Sequence, residues 1–228
     1  MTNIDAILSI LGRNRWFGGL PERLGRRIVG AGTVVTLEPG QWVHSQGDPE
    51  AGLEAVIEGA LRLEVALDAD RDVLIGFARR GSIIGQTRRT GGGPRILTTR
   101  ANYAARVLVI GEPALERIAA DEPDLWRAVS GLVYEQLTTV TRIAAQTLAL
   151  PPRQRVAARI GQLAENGRLR IRQEDLAEMT GLSRKSVNGH LAALEAAGLI
   201  TRHYAEIAIA NQTALHMLSD LPPARTPR

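Results

Sequence analysis

Apolar and polar positions change rhythm three times along the chain. From about Thr33 to Ile110, short runs rich in Val, Ile and Leu alternate with turn residues. The runs are "TVVTL", "WVH", "LEAVI", "LRLEVAL", "DVLIGFA", "RILTT" and "ARVLVI"; "EPG", "QGDPEAG", "EG", "DADRD" and "RRGS" separate them. Strand-length runs at this regular spacing predict a β-sandwich or barrel-like roll. Ahead of it, "MTNIDAILSILGRNRWF" has no basic stretch before its apolar residues, and reads as an amphipathic helix rather than a signal peptide.

The second rhythm is helical and runs from "DEPDLW" to "TLAL", where Pro151 and Pro152 stop it. Asp121 is the predicted N-cap, followed by acidic residues and a proline. Trp126, Ser130, Val133, Leu137, Val140, Ala144 and Thr147 recur at spacings of four and three, a coiled-coil seam. A helix of roughly 27 residues would be about 40 Å long. Its other face carries Val129, Leu132, Gln136 and Ile143, suited to packing back on the β-region. Two apolar faces on one helix favour a homodimer through it; a monomeric helix with a wide buried stripe is the alternative.

The third region, Arg153 to Leu218, reads as helix, helix, turn, helix and a short β-hairpin. Within "IRQEDLAEMTGLSRKSVNGHLAALEAAGLITR", a helix is predicted from Gln173 to Met179, with Leu176 and Ala177 inward. Gly181 permits the tight turn, and Ser183 caps a second helix with Val187, Leu191 and Leu194 inward. Gly198 stops that helix, and "LITRHYAEIAIAN" supplies two short strands. The closing "SDLPPARTPR" has little to bury, so 221–228 is expected to be a disordered tail.

Charge separates the regions. Residues 1–150 hold 17 Arg against 17 acidic residues, whereas residues 151–228 hold 10 Arg and one Lys against 7. The whole net charge of +4 therefore lies in the last third, as a polyanionic partner such as nucleic acid favours; a solvated basic face is the bland reading. No apolar run reaches membrane-spanning length. The absence of cysteine rules out disulfides and thiolate metal sites, and fits the cytoplasm.

Catalytic chemistry finds little support, and the chain is not expected to be an enzyme. A Walker loop needs Gly-Lys-Ser/Thr, yet the only lysine is Lys185. A cupin-like metal site needs clustered His and carboxylates, and the β-region has only His44. No Ser-His-Asp set can be placed.

The Ile171–Arg202 segment has the pattern of a winged helix-turn-helix, whose second helix enters the major groove by its N-terminal end. Arg184 can bond guanine O6 and N7 bidentately, and Lys185 can reach a base or a phosphate. Asn188, one turn on, suits adenine. Arg172, Gln173, Arg202 and His203 flank this face, where phosphate contacts position a domain without specifying sequence. A winged motif that binds protein is the competing reading, as is a ligand-binding or interaction module without DNA-regulatory function.

The residues "RQEDLAEMTGLSRKSVNGHL.ALE.AGLI" resemble the DNA-binding domain of the Crp–Fnr family of bacterial transcription regulators. "GDPEAGLEAVIEGALRL" is similar to the family's β-roll segment, and the likeness extends over nearly the whole chain. It implies an α+β fold: an N-terminal cyclic-nucleotide-binding-like β-roll, or jelly roll, with its helix at 1–120, a long dimerisation helix at 121–150 and a winged helix-turn-helix at 151–220. It also implies a homodimer that binds double-stranded DNA at two-fold symmetric sites and contacts RNA polymerase. Two departures stand in the recognition helix. The family's best-known member has a glutamate and an arginine where this chain has Lys185 and Gly189, so its operator does not carry over.

The same resemblance assigns the loop "GSIIGQTRRTGGGPRI" to the family's nucleotide cassette. There a Gly-Glu turn precedes an Arg followed by a small hydroxyl or alanine residue. Turn N–H groups and the Arg hold the cyclic phosphate, and the glutamate accepts from the ribose hydroxyl. The pattern falls on Gly85-Gln86 and Arg95-Ile96. Gly85 and Arg95 match; Gln86 replaces the carboxylate and Ile96 removes a hydroxyl. The adenine-contacting hydroxyl position falls on Val140, flanked by Thr139 and Thr141. Three outcomes stay open: a cyclic nucleotide (cyclic AMP or cyclic GMP), another anionic or apolar effector, or no ligand.

Overall fold

The computed structural model describes residues 3–68, 71–204 and 206–219, so the expected tail at 221–228 lies outside the described residues. Three helices precede the first strand: α1 (Ile4–Leu11), α2 (Arg15–Gly18) and α3 (Glu22–Ala31). Asn3 and Asn14 cap the first two, each side-chain oxygen accepting from a backbone N–H three residues on, in Ala6 and Phe17. The N-terminal amphipathic stretch is thus broken by a second cap at Asn14, and α3 follows Pro21.

Among the described residues eight strands follow: β1 (Thr33–Leu37), β2 (Trp42–His44), β3 (Gly52–Glu58), β4 (Ala60–Asp68), β5 (Arg71–Arg79), β6 (Ile83–Gln86), β7 (Thr98–Ala101) and β8 (Ala105–Gly111). They form two four-stranded sheets, β1-β8-β3-β6 and β2-β7-β4-β5, with antiparallel neighbours throughout. Leu37, Val56, Leu61, Ala78 and Val107 fill the core between them. Alternation along β3 splits its side chains between two cores. Leu53, Ala55 and Ile57 join Ile7, Leu11, Phe17, Ile28 and Leu115 under the helices, whereas Val56 lies in the sandwich. Glu54, which shares the face of Val56, is wholly buried.

Two helices close this part of the chain, α4 (Glu112–Ala119) and α5 (Asp124–Ala149). The helix expected to begin at an Asp121 cap therefore starts three residues later. Asp121 lies in the turn after α4, where its carboxylate takes the Arg27 guanidinium at 2.7 Å instead of capping. Leu125, Val129 and Leu132 of α5 are buried in the helical core, and Trp16 Nε1 donates to the Ala128 carbonyl at 2.6 Å. Leu137 and Val140 of the proposed seam are exposed at 59% and 53%.

The chain divides into two compact units after Thr138, within α5. In the second unit Pro152 opens α6 (Pro152–Leu163), so the prolines that end α5 also start the next helix. Then come β9 (Arg168–Arg170), α7 (Gln173–Thr180), α8 (Arg184–Ala196), β10 (Ile200–His203), β11 (Glu206–Ile209) and α9 (Gln212–Ser219). The strands form a sheet in the order β10-β11-β9, so the expected hairpin gains a third strand. Val156, Ile160, Leu176, Val187, Leu191, Leu194, Ile200 and Leu215 form the core of this unit.

Candidate nucleic-acid interface and effector site

Local chemistry sets the tip of α8. Gly181, at φ 64°, takes the left-handed turn after α7 that a side chain would strain. Ser183 Oγ then accepts from the Ser186 N–H at 3.1 Å, which fixes the start of α8. Arg184, Lys185 and Asn188 are exposed in the first turns of α8. Each arginine around them already has an acidic partner. Arg184 Nη1 lies 2.9 Å from Glu174 Oε1, and Arg172 grips Asp175 through Nε and Nη2 at 3.0 and 2.8 Å. Arg202 holds Glu195 at 2.6 Å and donates to Asn188 Oδ1 at 3.2 Å, so these two predicted residues share one surface. Gln173 opens α7 half-buried, and His203 is exposed at the end of β10.

Sequence reasoning missed the neighbouring strand. Arg168 and Arg170 project from β9 onto Glu206 of β11, at 2.6 and 3.3 Å. Their hydrogen bonds hold the Glu206 carboxyl below the usual range, as the hydrogen bond from Arg202 does for Glu195. The alternation "RLRIR" was the available signal for a strand with its arginines on one face.

Two further arginines lie on α6. Arg155 Nη1 donates to the Thr180 carbonyl at 3.1 Å, tying α6 to the turn before α8. Arg159 is 7% exposed, its Nη1 lies 3.5 Å from Gln162 Oε1, and burial pushes its pKa down to about 10.

In the β-roll, Gly85 stands at φ 131°, and a Cβ there would lie 2.2 Å from the Gly52 carbonyl oxygen. Only glycine fits. The Gln86 amide nitrogen donates to the carbonyls of Gly93 and Pro94 at 2.8 and 2.9 Å, folding the loop onto itself. The N–H groups of Arg88 and Arg89 both donate to Glu112 Oε1, at 2.6 and 3.2 Å. Arg95 is turned inward, 7% exposed. Its Nη1 donates to the Gly52 carbonyl at 3.1 Å, its Nη2 meets Glu54 Oε1 at 3.2 Å, and its buried Nε has no partner among the described residues. His44 Nδ1 and Thr99 Oγ1 complete the shell around the Glu54 carboxylate. Ile96 points out, 70% exposed, and Thr139, Val140 and Thr141 are exposed on α5 in the second unit.

Comparison with known proteins accounts for both halves. Residues 154–218 match the Crp-like helix-turn-helix domain, and residues 34–122 match the cyclic nucleotide-binding domain. This chain belongs to the Crp–Fnr family. The HTH-type transcriptional regulator Cmr of Mycobacterium tuberculosis is 28% identical over 182 residues, which is 80% of this chain and 74% of that protein. A CRP-like cAMP-activated global transcriptional regulator of the same species is 25% identical over 163 residues, 67% of this chain and 73% of that one. Among solved structures, FixK2 from Bradyrhizobium japonicum superposes with a TM-score of 0.74 at 19% identity, covering 84% of this chain and 98% of FixK2. The c-di-GMP responsive regulator CLP of Xanthomonas campestris gives a TM-score of 0.66 at 20% identity, covering 84% of this chain and all of that one (100%).

As a Crp–Fnr protein the chain has the family's fold, a β-roll, helices and a helix-turn-helix, and the domain types of a DNA-binding regulator. Among the described residues, the cassette positions of its β-roll do not offer a cyclic phosphate a free cation. Arg95 faces a buried carboxylate, the N–H groups of the short turn at Arg88–Thr90 face another, and Gln86 is held by loop carbonyls. The residues present do not fit that ligand as arranged.

Proposed function

We propose that the chain acts in the cytoplasm as a homodimeric, sequence-specific transcription regulator on double-stranded DNA, with RNA polymerase as a further partner. It is a binding protein, not an enzyme. One observation carries the reading: Arg184, Lys185 and Asn188 stand exposed on the first turns of a helix that Ser183 caps, with Arg202 beside them. A helix so placed puts its N-terminal side chains at base edges in the major groove. Arg172, Gln173 and His203 lie on the flanking elements, where phosphate contacts fix register.

The exposed apolar positions Leu137 and Val140 on α5 support the dimer, since a seam of this kind is stable when a second copy covers it. Two copies then present two recognition helices to half-sites about one helical turn apart. In this reading residues 1–120 are the β-roll domain, 121–150 the dimerisation helix and 151–220 the winged domain. The match of residues 34–122 to the cyclic nucleotide-binding domain supports the β-roll as the part that would answer a small effector. Selection from random double-stranded DNA tests the reading. Enrichment of a two-fold symmetric site is the expected result; no enrichment across a range of salt concentrations would sink it.

A further inference from the structure

The β-roll contains the anion-binding parts of a nucleotide cassette, and each is engaged from inside the protein. Arg95 is the only one of these groups with a full charge. Its guanidinium lies in the interior against Glu54, which is wholly buried on the sandwich-facing side of β3 and also meets His44 and Thr99. The next donors are backbone N–H groups. Those of Arg88 and Arg89, at the 3-10 turn beyond Gln86, converge on one oxygen of Glu112. The Gly85 N–H faces Gln136 Oε1 of α5 at 3.4 Å. Two carboxylates and an amide oxygen therefore take up donors that an anion would otherwise satisfy.

We infer that Glu54 and Glu112 are built-in counter-anions that close the β-roll to cyclic nucleotides, with Glu54 the residue that decides it. The inference rests on the β-roll being the family's ligand module and deepens that reading. A cyclic phosphate carries one negative charge. To reach Arg95 it must displace a carboxylate of equal charge that is covalently tethered a few ångströms away, at an effective concentration no free ligand matches. It must also leave that carboxylate buried without its cation, which is costly in a low-dielectric interior. Glu112 acts at the rim in the same sense: a second negative charge at the loop repels an incoming phosphate and already holds the turn N–H groups. The position of Glu54 in an otherwise apolar run is unexplained by packing alone, since an alanine or valine would fill the face it shares with Val56.

The test is calorimetry on the full chain with cyclic AMP, cyclic GMP and cyclic di-GMP in turn, beside DNA-binding measurements with and without each nucleotide. The wild type is expected to bind none at millimolar concentration, and its affinity for DNA is expected not to move. Glu54→Gln keeps the shape of the side chain and removes its charge. That variant should gain binding of at least one nucleotide by about tenfold or more, the effect of one charge-assisted hydrogen bond. A further Arg95→Ala change should abolish the gain. Glu112→Gln, at a half-buried position that leaves the interior intact, should add a smaller gain and keeps the test open if Glu54→Gln fails to fold. Wild-type binding that Arg95→Ala abolishes would overturn the inference. So would folded Glu54→Gln and Glu112→Gln proteins that still bind nothing. Failure to bind any DNA counts against the regulator reading instead, and the calorimetry stands apart from it.

Discussion

Gln136 clasps the backbone of Gly85 from both sides: its Nε2 donates to the Gly85 carbonyl at 3.0 Å, and its Oε1 accepts from the Gly85 N–H at 3.4 Å. A single side chain of α5 thus holds the last residues of β6. Gln136→Ala should destabilise the β-roll unit by about 1–2 kcal/mol, for one or two lost hydrogen bonds. Amide exchange in residues 83–86 should accelerate while the core strands keep their protection. Unchanged exchange there would show that the clasp contributes nothing.

Arg184→Ala should cost about 1–3 kcal/mol on the preferred site and relax discrimination at one base position. A uniform loss over all sequences would contradict base reading and move Arg184 to the phosphate-binding set. Binding titrations on single-base variants of a selected site decide between them.

Glu174 sits 2.9 Å from that guanidinium. Glu174→Gln should tighten DNA binding severalfold at low salt, because it frees Arg184 and removes a negative charge beside the phosphates. The advantage should shrink as salt rises. Weaker binding in the variant would mean that Glu174 orients Arg184 for the groove.

Acid sensitivity should centre on Glu64. Burial pushes its carboxyl up, but hydrogen bonds from Arg100 and Arg62, at 2.8 and 2.7 Å, outweigh burial and hold it below the usual range. A carboxyl lowered in the folded state stabilises the fold above its unfolded value, about 4.3 for glutamate. That contribution is lost as pH falls through the lower, folded value. Urea midpoints should therefore fall as pH drops below about 4, and Glu64→Gln should flatten that limb.

Arg159 is buried with no carboxylate partner among the described residues, and burial pushes its pKa down to about 10. Arg159→Met, of similar length and without charge, should stabilise the winged unit by about 1–3 kcal/mol in denaturant melts, as replacing buried charge by apolar groups often does. A loss of stability would show that the guanidinium makes contacts worth more than its desolvation.

What the sequence made legible was local. The Ser183 cap, the Gly181 turn and the inward triplet Val187, Leu191 and Leu194 each depend on residues within two turns, and each appears in the structure. The β-roll strands were readable for the same reason, since alternation and turn residues act at short range. The β9 strand and helices α3, α4 and α9 went unread because they are short, with few repeats to reveal a period. The ring around Arg95 needed long-range pairing. Gly52 and Glu54 reach it only through the register of β3 with its neighbours, and Glu112 reaches the N–H groups of Arg88 and Arg89 through the helix that follows β8. An acidic residue within "LEAVI" was the one local clue: a charge on an apolar strand face requires a partner, though sequence alone does not say which.

Five arginines of the winged domain, Arg168, Arg170, Arg172, Arg184 and Arg202, each hold a carboxylate of the same domain. A DNA phosphate that engages one of them exchanges partners with an acid rather than shedding a mobile ion. Salt dependence should then be shallower than the number of basic residues suggests, and attraction to arbitrary DNA correspondingly weak. Phosphates are the same on every sequence, so a domain that muffles them gives base edges a larger share in choosing where it stays.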